Sequence, residues 1–212
     1  MNFLQKIADR LVLQASTNPL DAGDLHRQVI ETPSGSVDIW AGFPENDPSL
    51  TTNTLILKFP GAGGRAERSS SHPCEVWGDL KCASWTINHR GYGQSDGPSS
   101  LQNFSETCES VWSAALRLFP DHRIVLYGSS LGCLSALYLS SRHPACGLYL
   151  RNPPPLKEMI SRRLRYNWWN FGMARLIAKQ IPDYLDPITN AQRSHCPALL
   201  VQSECDGLVP PR

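Results

Sequence analysis

The sequence predicts an α/β fold: a doubly wound, mostly parallel sheet with an N-terminal hairpin, helices on both faces and a small helical cap. Three observations carry that prediction. Short β-prone runs such as 54–59 and 124–127 alternate with segments of helical period such as 104–119, and strands alternating with helices pair in parallel. The runs are almost continuously apolar, as strands covered on both faces are. Glycine-rich or polar clusters follow several of them, at the strand ends where such sheets gather functional groups. The 212 residues fit one domain, 41% hydrophobic content supplies a core, and a formal charge of +1 offers no field for nucleic acid.

In chain order, 2–14 places Phe3, Leu4, Ile7 and Leu11 on one helical face and Lys6, Asp9 and Arg10 on the other. This amphipathic helix is expected to dock on its own domain. Its charges exclude a signal peptide, and two basic residues are a weak basis for membrane contact. No run approaches the ~20 apolar residues of a membrane span. Segments 26–31 and 36–41 alternate around the turn Thr32-Pro-Ser-Gly35, which predicts a hairpin. An exposed connection, 42–53, leads to the strand 54–59 and then to Pro60-Gly-Ala-Gly-Gly64. A short helix at 75–80 and a strand at 83–88 follow.

The helix 104–119 presents Phe104, Cys108, Val111, Trp112, Ala115, Leu116 and Phe119 at helical period and stops at Pro120. The strand 124–127 leads into a helix patterned by Leu131, Leu134, Leu137 and Tyr138. Next comes a strand at 145–150, closed by Arg151-Asn-Pro-Pro-Pro155, whose prolines bar further pairing. The departing segment 156–192 reads as the cap, an insertion in a single domain spanning 1–212. It interleaves Arg162, Arg163 and Arg165 with Tyr166, Trp168, Trp169 and Phe171, then Met173, Leu176 and Ile177. Its aromatics either wall an apolar pocket or bury themselves against the domain. The last strand, 197–202, delivers Ser203-Glu-Cys-Asp206.

Chemistry concentrates at Gly128-x-Ser130-x-Gly132, which joins a strand to a helix. This strand–turn–helix with serine at its apex is a nucleophile elbow, and it nominates Ser130. Gly93-Gln-Ser95-Asp-Gly97 matches the same spacing, but no helix follows it, so Ser95 is expected on a surface turn. The cluster 60–64 lacks the lysine of a phosphate loop and suits an oxyanion loop, with the amides of Ala62 and Leu131 as donors. Seven cysteines without metal or redox spacing imply reduced thiols and a cytoplasmic setting. Cys133, beside the elbow, is expected to pack and not to react.

Four motifs then fall in order: Phe-Pro-Gly-Ala-Gly-Gly, His-Arg-Gly-Tyr-Gly-Gln-Ser-Asp-Gly, Tyr-Gly-Ser-Ser-Leu-Gly and Asp206-Gly-Leu-Val-Pro. Together they resemble the α/β-hydrolase superfamily, in its serine-hydrolase branch with a short helical cap, from about Val29 onward. The resemblance implies hydrolysis of a carboxylic ester, thioester or amide through an acyl-Ser130 intermediate, with a small-molecule acyl substrate and no cofactor or metal. It also implies a triad in the order Ser, Asp, His, with Asp206 as the acid and Glu204 a nearby rival. The histidine should follow the acid by a few tens of residues. Six residues remain after Asp206, and none is histidine. His26, His122, His143 and His195 belong to the opposite sheet edge, while His72 and His89 lie on the active edge at positions the family does not use as base. Two expectations follow: a chain lacking the C-terminal His-bearing segment, or an inactive relative that keeps the shape for binding.

Overall fold

A computed structural model describes residues 3–43, 51–70, 72–74, 81–164 and 171–204. The expected connection at 42–53 and the cap therefore lie partly outside the described residues, and the helix at 75–80 wholly so.

Seven strands form one sheet: β1 (His26–Thr32), β2 (Gly35–Gly42), β3 (Thr54–Phe59), β4 (Cys82–Ile87), β5 (Arg123–Ser129), β6 (Gly147–Arg151) and β7 (Ala198–Val201). Their order is β1-β2-β4-β3-β5-β6-β7. The hairpin β1/β2 is antiparallel, and β2 joins β4 antiparallel through Ile39↔Ile87. From β4 to β7 every pairing is parallel. β3 and β4 are buried along their whole length, which explains their mostly apolar sequences.

The helices are α1 (Phe3–Val12), α2 (Phe104–Leu118), α3 (Gly132–Ser140), α4 (Leu156–Leu164), α5 (Phe171–Ala178) and α6 (Pro187–Arg193). Helix α3 is buried at every residue. It lies between the sheet and the helices α2 and α6, which pack on it. The main core joins Leu55, Leu57 and Phe59 of β3 to Val111 and Trp112 of α2 and to Cys133 and Leu137 of α3. The opposite sheet face carries Ile56, Cys82, Tyr127 and Tyr149. A further cluster gathers α1, α4 and α5 over Leu101, Phe104, Leu131 and Leu134. No helix among the described residues is long and apolar enough to cross a membrane.

Three expectations are corrected. Asp9 was placed on the solvent face of α1, yet it is 5% exposed and accepts hydrogen bonds from Ser100 Oγ (2.7 Å) and the Leu101 amide (3.0 Å). Phe3, assigned to the docking face, is 77% exposed, and Ala8, Val12 and Leu13 make the buried contact instead. The amides at the turn before α2 need an acceptor, and the carboxylate at position 9 supplies it, rotating the helix accordingly. Leu116 in α2 is likewise half exposed and outside the core.

Candidate active site

Ser130 sits between the end of β5 and the start of α3 with φ 48, a left-handed conformation that non-glycine residues rarely adopt. The turn is over-determined. The Ser130 amide donates to the Arg151 carbonyl at the end of β6 (2.7 Å), and the Ser130 carbonyl accepts from the Cys133 amide (2.9 Å). A Cβ at Gly128 would lie 2.5 Å from Cys133 Cα, and one at Gly132 would lie 1.9 Å from the Phe59 carbonyl oxygen. Both obstacles are backbone, so the GxSxG spacing is a steric requirement of this turn. Surrounding structure of this kind is what sustains a strained residue at a functional position.

The loop after β3 runs against the serine. A Cβ at Gly61 would lie 3.2 Å from Ser130 Cβ and 3.9 Å from its Oγ, so the loop backbone approaches closely. The turn closes through the Gly64 amide on the Gly61 carbonyl (2.9 Å). The orientation of the next peptide is fixed from two sides, because the Ala62 carbonyl accepts from the Gln14 amide (3.1 Å) and from Tyr92 Oη (2.8 Å). Burial pushes the Tyr92 phenol up to about 12, so it remains a donor. Among the described residues, the Ala62 and Leu131 amides have no backbone acceptor. Tyr92 and Gln14 are contacts of this loop that the motif reading passed over. The only signal for Tyr92 was its place in the His89-Arg-Gly-Tyr stretch.

Behind this loop lies a buried polar network that the sequence reading missed. Asn88 donates to Asp38 (3.0 Å) and Glu67 (3.0 Å) and accepts from the Ala66 amide (2.9 Å). Arg65 pairs with Glu67 and also donates to the carbonyls of Ser16 (2.7 Å) and Asn18 (3.0 Å). Burial opposes ionisation of Glu67, but the hydrogen bonds from Arg65 and Asn88 hold its carboxyl below the ordinary value. Ser95 belongs here and not on a surface turn. Its hydroxyl is buried, donating to the Asn88 carbonyl (2.7 Å) and accepting from the Asp38 amide (2.8 Å). The second GxSxG is thus a structural clasp: a backbone amide within β2 and a carbonyl just past β4 need partners, and Ser95 provides both.

The histidines divide as follows. His89 is buried, its ring parallel to Phe104 (centroids 3.9 Å, 4°), with Nε2 at 3.0 Å from Ser135 Oγ in the elbow helix. Burial depresses it to about 3, so it is neutral and engaged. His72 meets the edges of Tyr127 (6.2 Å) and Tyr149 (5.8 Å) on the other sheet face. It lines an open cleft of about 310 Å³ that extends from Gly61 and Ser129 to Lys58 and Tyr127. His122 bonds Thr52, and His143 pairs with Glu109. Among the described residues no histidine is hydrogen-bonded to Ser130. Cys133 is fully buried and burial pushes its thiol up to about 12, so it packs beside the elbow as an inert residue.

At the carboxyl edge, Asn152 (φ 51) binds the loop after β7 reciprocally: its Oδ1 accepts from the Ser203 amide (2.8 Å) and its Nδ2 donates to Ser203 Oγ (3.1 Å). Glu204 is exposed there, and Asp206 lies outside the described residues, as do Tyr166, Trp168 and Trp169. No group of three potential metal ligands occurs among the described residues.

These features place the chain in a class. The family profile described as alpha/beta hydrolase fold matches residues 54–178, and the chain belongs to that family. Its sequence is similar to the alpha/beta hydrolase domain-containing protein 17B of Xenopus laevis, 26% identical over 103 residues, 47% of this chain and 35% of that protein. Protein 17C of Homo sapiens is 28% identical over 76 residues, 35% of this chain and 23% of that protein. The matched segments thus span about a third or less of these curated relatives. Among solved structures, an alpha-beta hydrolase from Vibrio vulnificus is similar over 98% of this chain and 76% of that one, with TM-score 0.70 and 19% identity. An esterase from Pyrococcus furiosus covers 94% and 78%, with TM-score 0.68 and 16% identity. Both likenesses are of fold.

Proposed function

We propose that this chain is a serine hydrolase cleaving a carboxylic ester, thioester or amide through an acyl-Ser130 intermediate. The observation that carries the reading is Ser130 at φ 48 on a strand–turn–helix, with the glycine loop passing so near that a Cβ at Gly61 would lie 3.2 Å from Ser130 Cβ. Ser130 Oγ adds to the acyl carbon and gives its proton to a base. The leaving group departs protonated, and water then releases the acid by the reverse sequence. The amides of Ala62 and Leu131 are the proposed donors to the developing oxyanion, and Asp206 is the proposed acid that orients the base. The esterase and serine-hydrolase identities of fold neighbours support the same class. We take residues 1–212 as a single domain with 156–192 as its cap. A cytoplasmic setting rests on the described cysteines, all free thiols.

One observation favours a second reading, an inactive relative that uses the cleft for binding: no described histidine engages Ser130. A fluorophosphonate probe applied to protein expressed from the natural gene separates the two. Covalent labelling that disappears in Ser130→Ala is the expected result. An unlabelled protein, or labelling that survives the substitution, overturns the hydrolase reading. Translating the coding sequence beyond Arg212 is the complementary observation, since a strand pattern followed by histidine would supply the base.

A further inference from the structure

Helices α1 and α5 pack side by side and present a surface that none of the chemistry above uses. On α1, Phe3, Lys6 and Arg10 share the outward face, flanked by the half-buried Leu4, Ile7 and Leu11. On α5, Met173 and Leu176 stand one turn apart, 51% and 49% exposed, beside exposed Arg175, with exposed Lys179 just beyond the helix. Neither helix exposes an acidic residue, because the one carboxylate, Asp9, is turned inward. The two-helix face therefore carries large apolar side chains ringed by at least four cations.

We infer that this face docks on an anionic lipid bilayer, with Phe3, Met173 and Leu176 entering the headgroup boundary and Lys6, Arg10, Arg175 and Lys179 meeting lipid phosphates and carboxylates. The charge pattern selects this occupant. A second copy of the chain, joined through the same face, would set the cations against their own images, which is destabilising. A folded partner would require a shaped recess for its anchors, and the apolar residues here stand outward on two helix crests. A bilayer conforms to outward-standing side chains without a recess, and basic residues around an apolar stripe are the composition that anionic interfaces hold. The sequence of α1 alone offered two basic residues; α5 and the residue after it add two more, and α5 brings two further exposed apolar side chains. Both helices share a hydrophobic cluster with Ala62 and Leu131, so the docking face adjoins the elements around Ser130.

Co-sedimentation with phosphatidylcholine vesicles containing phosphatidylserine, compared with phosphatidylcholine alone, tests the inference. The chain is expected to bind the anionic vesicles, with binding that weakens as salt rises. Partitioning should fall at least about tenfold in Lys6→Gln/Arg10→Gln/Arg175→Gln/Lys179→Gln and in Phe3→Ser/Met173→Ser/Leu176→Ser. Circular dichroism verifies folding of each, and Phe3→Ser alone serves should the triple variant not fold. Absence of vesicle binding, or binding indifferent to both variants, overturns it. So does a dimer in light scattering that the serine variant dissociates. Ser130→Ala is expected to bind vesicles as the parent does, so the docking face and the hydrolase reading succeed or fail separately.

Discussion

His89 has a ring stacked on Phe104 and, at 5.8 Å and 29°, on Phe59, and burial depresses its pKa to about 3. In the unfolded chain the same imidazole titrates near 6.5. As pH falls from about 6.5 toward 3, the unfolded state takes up a proton that the folded state refuses. The stabilising contribution is complete above that window and lost through it, at about 1.4 kcal/mol per pH unit for one proton. Urea unfolding at a series of pH values should give a shallower acid slope for His89→Gln than for the parent, by close to one proton. An unchanged slope would mean that His89 does not hold this neutral state. Single residues were also where sequence reading was weakest. Ser95 and Asp9 both looked solvent-facing by local pattern, and both are buried because distant backbone groups require an acceptor or donor at that point. Residue spacing holds no record of such long-range demands.

The elbow, as an element, is dictated by backbone crowding, and this is why it was readable. Gly128→Ala and Gly132→Ala each force a methyl into backbone at 2.5 and 1.9 Å, and overpacking of that severity costs about 1–3 kcal/mol or more. Gly147→Ala is the control, since its nearest neighbours would be at 3.9 Å. In urea titrations the two elbow variants should lose that stability, or fail to fold, while the control stays within about 0.5 kcal/mol of the parent. Equal effects at all three positions would refute the steric account. Strands were equally legible where both faces are covered: the run 54–59 coincides with β3 to the residue. Helix α1 was legible as a helix, but its rotation was not. The apolar stripe of Phe3, Leu4, Ile7 and Leu11 only half describes the face that docks.

Over the whole molecule, alternation of strand and helix was sufficient to predict a mostly parallel sheet, whereas the order of its strands and the polar network behind the glycine loop emerge only from tertiary contacts. The sheet ends in β7, among the described residues, with Leu199 and Leu200 exposed at 52% and 61%. Exposed apolar residues on an outer strand invite pairing between molecules. Leu200→Lys is expected to lower aggregation on concentration, measured by static light scattering, with little change in the unfolding midpoint. Scattering unchanged from the parent would show that this strand is not the contact. The burial of Asp9 has a consequence for how the molecule comes into being. Its partners Ser100 and Leu101 lie 91 and 92 positions later, so at ~5–20 residues per second the ribosome delivers them roughly 5–20 s after the helix. During that interval α1 has nowhere to seat its carboxylate. The helix can therefore be fixed only after more than ninety further residues have been made, and the carbonyl of Ala62, held by the amide of Gln14 just past that helix, is not fully oriented before then.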